Sequence, residues 1–115
     1  MKLKIGIDLG TTNSVVAYLE NGSIEYLRFR NQESIASVIL YKDEKITIGD
    51  IAKKKAVSSP SNFIKSSKTF MGDSSKSWNI EDKNFTPTDV ATEILKEIKK
   101  TLNKKFLDVS EYKGL

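Results

Sequence analysis

Hydrophobic and polar residues alternate at the beginning of the chain. The apolar positions are Leu3, Ile5, Ile7 and Leu9, and the residues between them are charged or glycine. A two-residue period is typical of a β-strand with one buried face. The pattern therefore predicts that the fold begins with a strand.

Two further strands are predicted directly after it. Residues 14–19 are mostly apolar and include the β-branched Val15 and Val16, and Asn21-Gly22 follows shortly after. This dipeptide is among the strongest signals for a tight hairpin turn, and residues 24–30 supply the returning strand. We expect an antiparallel meander of three strands.

The middle of the chain predicts shorter elements. Residues 37–41 and 45–48 form a second candidate strand pair with a short polar connection. Asp50 can cap a short helix over residues 51–57, which ends before Pro60 because proline lacks an amide hydrogen. These elements look peripheral to the first sheet.

The stretch from Gly72 to Phe85 is dominated by polar side chains. They surround the single tryptophan of the chain, Trp78. We expect a surface loop that this one aromatic residue anchors.

The clearest pattern lies near the end of the chain. Thr86 is a suitable N-cap, and Asp89 follows it by three residues, as in a capping box. A four-residue spacing then recurs in the apolar residues Val90, Ile94, Ile98, Leu102 and Phe106. The pattern predicts a helix of about 20 residues, over 86–107. Ala91 and Leu95 widen its apolar stripe, so we expect one face of the helix to be buried against the sheet.

Length and composition limit the class of protein. The chain has 115 residues, of which 38% are hydrophobic and 30% are charged, as in one soluble globular domain or part of one. No apolar run approaches the roughly 20 residues that cross a bilayer, and the polar start lacks the apolar region of a secretory signal. We therefore expect a cytoplasmic protein that does not bind membranes.

Charge and residue types narrow the chemistry. The net charge is +4, but the basic residues are scattered along the chain, so nucleic-acid binding is not expected. The densest basic groups, in residues 53–55 and 99–105, lie in predicted helices and are expected to be solvated. Cysteine and histidine are absent, so any chemistry must use carboxylates, hydroxyls, lysines or backbone amides.

The turn after the first strand carries a candidate phosphate site. Gly10 is followed by Thr11, Thr12 and Asn13. A residue without a Cβ lets backbone amides approach an anion closely, and hydroxyls add further donors. Asp8 would repel a bare phosphate, but it can position Mg²⁺, or its water shell, between itself and phosphate oxygens. A plain hairpin, in which these residues only satisfy turn geometry, explains the spacing equally well.

The ten residues from Ile5 to Ser14, IGIDLGTTNS, resemble the first phosphate loop of the DnaK-type heat-shock chaperone family almost letter for letter. Three later segments are also similar to that family, at residues 48–53, 59–62 and 68–72. Residues 86–106 resemble the helix that the family places beside its central sheet. The resemblance covers nearly the whole chain and favours the phosphate site over the plain hairpin.

The fold that this resemblance implies is α/β, part of an actin-like, ribonuclease-H-like ATPase fold. The antiparallel meander would lie in residues 1–36, a small peripheral subdomain in residues 37–85, and the long helix in residues 86–107. The chain would be the N-terminal part of a nucleotide-binding domain, and its end after a polar stretch favours truncation.

The resemblance also implies ligands and roles. ATP or ADP would bind with Mg²⁺, which Asp8 would orient through water. Thr11 and Thr12 would contact the β- and γ-phosphates, in a loop completed by Gly10 and Asn13. Lys68 would be the catalytic lysine near the attacking water, because an ammonium group can offset charge on the transferring phosphoryl group.

Partners follow from the same resemblance. In the complete family, ATP hydrolysis controls how tightly a separate domain holds unfolded peptide segments, with the help of a co-chaperone and a nucleotide exchange factor. This chain would supply only part of the nucleotide contacts, so we expect negligible ATPase activity from it alone. Its first strand would have a free edge, which favours self-association.

Two departures from the family pattern are present. Residues 33–37 replace the family's RTTPS and keep a hydroxyl in place of the threonines only at Ser34, which leaves the positioning of the γ-phosphate open. Residues 72–86 are shorter than in DnaK and resemble the smaller HscC-like branch, whose members also carry a tryptophan here.

Two other classes of protein stay open. One is a non-chaperone relative with the same type of ATPase fold, such as a sugar kinase or a filament-forming actin relative. The other is a catalytically silent interaction module whose basic helices bind an acidic partner, with binding that depends steeply on salt.

Overall fold

The computed structural model describes residues 4–65 and 67–112, and the surroundings of side chains as far as residue 106. These residues form three small antiparallel sheets and two α-helices, with two short 3₁₀ helices between the α-helices. The mixed α/β class predicted from the sequence is confirmed.

The first sheet contains β1 (Ile5–Leu9), β2 (Asn13–Glu20) and β3 (Ser23–Tyr26) in the order β1-β2-β3. Every neighbouring pair is antiparallel, as predicted. Asn21 and Gly22 have φ values of 51° and 81°, the left-handed conformation of a tight hairpin turn.

The third strand is shorter than the sequence predicted. It ends at Tyr26, and only the amide of Leu27 continues the pairing, by donating to the carbonyl of Val16 at 2.8 Å. The chain then reverses at Arg30, whose φ is 62°. An additional short strand, β4 (Ile35–Ala36), pairs with the beginning of β2 and was not predicted.

The second sheet has the order β6-β5-β7, formed by β5 (Ile39–Lys42), β6 (Lys45–Ile48) and β7 (Phe63–Ile64). The predicted strand pair is therefore present, with β7 added beside it. A helix, α1 (Asp50–Ala56), follows β6.

The predicted capping role of Asp50 is wrong. Gly49 occupies the cap position with φ of 78° and makes no side-chain cap bond, while Asp50 is the first helical residue. A carboxylate in the first turn still interacts favourably with the helix dipole. A Cβ at Gly49 would come within 3.0 Å of the Ile35 side chain, so glycine also permits this close packing.

The segment around Trp78 is a hairpin, which corrects the prediction of a surface loop. Strands β8 (Trp78–Ile80) and β9 (Lys83–Phe85) are antiparallel and form the third sheet. Glu81 and Asp82 make the turn with φ values of 50° and 65°. Ile80 and Phe85 are buried, so hydrophobic packing holds the hairpin against the core.

The long helix, α2 (Pro87–Tyr112), has 26 residues and is longer than predicted. Its capping box is confirmed: the Asp89 amide donates to Thr86 Oγ1 at 3.1 Å, and the Thr86 amide donates to Asp89 Oδ2 at 2.9 Å. Leu95, which was expected to widen the buried stripe, is 41% exposed.

The main hydrophobic core lies between α2 and one face of the first sheet, and it extends to the other two sheets. Buried members of this core include Val16, Tyr18, Ile39, Ile64, Phe85, Val90, Ile94 and Ile98. At its far end the rings of Tyr18 and Phe106 meet edge to face, with centroids 5.2 Å apart. The predicted burial of the helix against the sheet is thus observed.

Helix length and hydropathy bear on membrane insertion. Within residues 4–65 and 67–112, no helix is both long enough and apolar enough to cross a membrane.

Candidate functional site

The turn between β1 and β2 is tight because of Gly10. A Cβ at this position would collide with the carbonyl oxygen of Asn13, so the chain can fold back here only with glycine. Thr11, Thr12 and Asn13 are exposed. The turn thus presents two hydroxyls and an amide side chain to solvent.

Strand β4 supports this turn from one side. The Ser37 amide donates to the Thr12 carbonyl at 2.9 Å, and Asn13 Nδ2 donates to Ser34 Oγ at 3.4 Å. Beneath the turn, the hydroxyls of Ser14 and Ser37 share a hydrogen bond of 2.8 Å. Both serines are buried. Residues 33–37, which depart from the family pattern, therefore lie directly beside the candidate phosphate loop.

Sequence reasoning gave Ser14 and Ser37 no role. The available signal was a hydroxyl at each of two positions inside otherwise apolar strands. Because buried hydroxyls need hydrogen-bond partners, two such positions in predicted strands are candidates to bond to each other.

Lys68 lies in the 3₁₀ helix Ser67–Phe70. Together with Gly10 it lines a small cavity of about 10 Å³. The other lining residues are Leu9, Ser37, Ser67, Met71, Pro87, Ala91 and Ile94. The fold thus brings Lys68 next to the candidate phosphate loop, although the two are far apart in the sequence.

The size of this cavity limits what it can hold. Roughly 10 to 15 Å³ is the space that one water molecule needs. A phosphate group therefore does not fit inside it, and the surface open to an anion is the exposed turn of Thr11, Thr12 and Asn13.

Asp8 is exposed near the end of β1. Because side chains alternate along a strand, its carboxylate lies on the opposite face from Leu9, which lines the cavity. The structure therefore brings Gly10 and Lys68 together but does not direct Asp8 toward the same cavity.

The donor set fits a hydrated magnesium ion. Among the described residues, no group of three or more carboxylates is close enough to hold a metal ion. Mg²⁺ is usually held by one or two carboxylates together with phosphate oxygens and water. Asp8, near the candidate phosphate loop, is one carboxylate of this kind.

A larger groove of about 870 Å³ lies elsewhere on the molecule. It runs between residues 25–35, the beginning of α1 and the later part of α2. Its charged lining is mixed in sign: Arg28, Arg30, Lys100, Lys104 and Lys105 are basic, and Glu25, Glu33, Asp50 and Glu97 are acidic. This balance gives the groove no strong preference for an acidic or a basic partner.

Comparison with known proteins assigns the chain to a family. The family described as "Hsp70 protein" matches residues 4–92. "Chaperone protein DnaK" of Mycoplasma mycoides subsp. mycoides SC is 43% identical over 96 residues, which cover 83% of this chain and 16% of that protein. "Chaperone protein DnaK" of Mycoplasmopsis agalactiae is 39% identical over 102 residues, which cover 88% of this chain and 17% of that protein.

The chain belongs to the Hsp70 family. Its antiparallel sheets and long helix agree with the actin-like ATPase fold of that family, and the resemblance noted in the sequence is confirmed. The chain spans about one sixth of the length of the two curated relatives. Membership of the HscC-like branch stays a prediction.

Proposed function

We propose that this chain forms the phosphate-gripping part of the ATPase domain of an Hsp70-type chaperone. The observation that carries the proposal is the cavity lined by both Gly10 and Lys68, because it joins the glycine–threonine turn to the one lysine that the family pattern singles out. In this proposal residues 1–36 act as the phosphate-loop sheet, residues 37–85 as a peripheral subdomain, and residues 86–107 as its supporting helix.

The exposed turn would hold the phosphates of ATP or ADP. The backbone amides of Gly10 to Asn13 and the hydroxyls of Thr11 and Thr12 are donors for the β- and γ-phosphate oxygens. Asp8 would hold Mg²⁺ through water, and the ion would neutralise phosphate charge. The hydrogen bonds from Ser37 and to Ser34 keep the turn in shape before the anion arrives.

Lys68 would assist hydrolysis electrostatically. Lys68 is exposed and lines the cavity that Gly10 also lines, so its ammonium group could offset the negative charge that develops on the transferring phosphoryl group. The chain alone contributes only part of a nucleotide site, so its own ATPase activity would be negligible.

The remaining partners are proposed for the whole protein. ATP hydrolysis would control the grip on unfolded peptide segments, and a co-chaperone and a nucleotide exchange factor would regulate the cycle in the cytoplasm. The two relatives, both named chaperone protein DnaK, support this proposal.

A titration monitored by nuclear magnetic resonance tests the phosphate site. We expect Mg-ATP, and inorganic tripolyphosphate with Mg²⁺, to shift the amide signals of residues 10–13 and 67–71, even where binding is weak. Lys68→Ala should remove the response of residues 67–71, while the exposed control Lys65→Ala should keep it. Shifts confined to the larger groove, or no shifts, would overturn the proposal.

We further propose that β1 pairs with β1 of a second copy. Among the described strands, β1 is at the end of its sheet and pairs only with β2, so its other edge has free backbone groups. An antiparallel pairing centred on Ile7 sets Ile5 opposite Leu9 and Asp8 opposite Gly6. This register continues the apolar face and puts no like charges opposite each other.

A further inference from the structure

Three side chains form a cluster beside the 3₁₀ helix that carries Lys68. The rings of Phe70 and Trp78 meet edge to face, with centroids 6.0 Å apart. Lys76 Nζ lies 4.5 Å from the centroid of Phe70 and 5.0 Å from that of Trp78. A cation shared between two rings attracts both of them and favours this arrangement of the three side chains.

The cluster is connected to the candidate site in both directions along the chain. On one side, Phe70 is two residues after Lys68, and the Met71 amide donates to the Lys68 carbonyl at 3.1 Å. On the other side, Trp78 begins the hairpin that ends at the buried Phe85 and leads into α2, where Pro87 lines the cavity.

Both ends of the segment from residue 67 to residue 87 therefore line the same cavity. The contact between Phe70 and Trp78 joins the first part of this segment to its hairpin. The 3₁₀ helix that carries Lys68 has only four residues, and such short helices have weak hydrogen-bond geometry. It packs beside the start of α2, and the contact between Phe70 and Trp78 gives it a second anchor. An exposed lysine on such an element needs an anchor in order to keep a fixed position.

We propose that Phe70, Lys76 and Trp78 form a positioning cluster that sets the distance between Lys68 and the phosphate loop. This inference rests on the proposed role of Lys68, but the position of the segment can be measured without nucleotide. The simpler role would be hairpin stability alone, in which case losing Trp78 would lower stability and leave the position of residues 67–70 unchanged.

Spin labels can measure this position, because the chain contains no cysteine. One label is attached through Thr69→Cys, on the 3₁₀ helix, and the other through Glu20→Cys, at the end of β2; both residues are exposed. Electron–electron double resonance then gives the distribution of distances between them in the absence of nucleotide.

We expect Trp78→Ala to widen this distribution about twofold, because a segment with fewer packed contacts opens locally. Trp78→Phe should restore the parent width, since it keeps an aromatic ring beside Phe70. Lys76→Met, which removes the charge and leaves the core untouched, should widen the distribution to an intermediate degree. It keeps the test usable if Trp78→Ala fails to fold.

Phe29→Ala serves as the control for general destabilisation. Phe29 is a half-buried aromatic residue that lines the larger groove rather than the cavity beside Lys68. It should leave the distance distribution unchanged. The positioning role is overturned if Trp78→Ala and Lys76→Met match the parent, or if Phe29→Ala widens the distribution as much. Because no nucleotide is present, a failure of the proposed phosphate site would not produce either result.

Discussion

The hydroxyls of Ser14 and Ser37 share a hydrogen bond of 2.8 Å beneath the candidate phosphate loop. The exposed fractions of the two serines are 0% and 3%, so water cannot replace either partner. This pair joins β2 to the residue after β4, and the Ser37 amide in turn holds Thr12. The shape of the exposed turn therefore depends on a buried polar contact.

Removing one hydroxyl of this pair should lower the stability of the fold. Ser37→Ala leaves Ser14 without its partner, and we expect the free energy of unfolding to fall by about 1 to 3 kcal/mol. The double variant Ser14→Ala with Ser37→Ala should lose less than the sum of the two single variants, because it leaves no orphan hydroxyl. Urea unfolding measures both, and the exposed Ser23→Ala is the control, with an effect within about 0.5 kcal/mol. Strict additivity would contradict the coupling.

Gly10 should tolerate no side chain. In Gly10→Ala the new methyl group meets the Asn13 carbonyl, so we expect a loss of about 2 kcal/mol in unfolding free energy and loss of the Mg-ATP response at residues 10–13. Gly6→Ala is a matched control in the adjacent strand, since nothing lies within 4 Å of a Cβ there. Similar losses in both variants would show that the close approach at Gly10 is not the cause.

The edge of β1 should control self-association. Ile7 is 46% exposed at the centre of this strand, and Ile7→Lys would place two ammonium groups opposite each other in the proposed pairing. Sedimentation at high concentration should show a dimer for the parent and a monomer for this variant. Leu19→Lys is the control, because Leu19 is 44% exposed but lies on the internal strand β2. A monomeric parent would refute the pairing, and circular dichroism verifies that each variant is folded.

Acid should loosen the turn that lies between Phe70 and Lys76 of the positioning cluster. Hydrogen bonds from the Ser75 hydroxyl at 2.6 Å and from the Ser75 amide at 2.9 Å lower the pKa of the Asp73 carboxyl below its usual range. Because the pKa of Asp73 is lower in the folded state, its charged carboxylate stabilises the turn at every pH above the usual carboxyl pKa of about 4. This stabilisation is lost as the pH falls through the lowered pKa.

A titration of the Asp73 carboxyl carbon by nuclear magnetic resonance measures this pKa. Ser75→Ala should raise the midpoint toward the usual range, because it removes the largest cause of the lowering. Ser77→Ala, at another exposed serine of the same segment, should leave it unchanged. If the titration midpoint of Asp73 is the same in Ser75→Ala as in the parent, the Ser75 hydroxyl is not the cause of the lowered pKa.

The elements that sequence reasoning predicted well have strong local signals. The turn at Asn21-Gly22 and the capping box of Thr86 and Asp89 each place suitable residues at fixed offsets, and both are confirmed. Such features depend on neighbours in the sequence, so a single chain is enough to predict them.

The missed elements are short and depend on distant contacts. Strand β4 has two residues, too few to display a period, and it exists because β2 provides its partner. The turn at Glu81 and Asp82 adopts left-handed φ values without glycine, so the usual hairpin signal was absent.

The candidate site was only partly accessible from the sequence. Lys68 is one of 19 basic residues, and its spacing alone gives no reason to choose it; the resemblance to a family did. Its approach to Gly10 depends on how the 3₁₀ helix packs beside the start of α2, which no local pattern encodes.

Helix α2 begins at the small cavity, where Pro87 is part of the lining, and reaches the larger groove, where Lys105 is part of the lining. At 1.5 Å per residue these two positions are about 27 Å apart along one uninterrupted rod. A rod of this kind can tilt but cannot easily bend in the middle. Since α2 lines both concave surfaces, a tilt of this rod would move part of the wall of each.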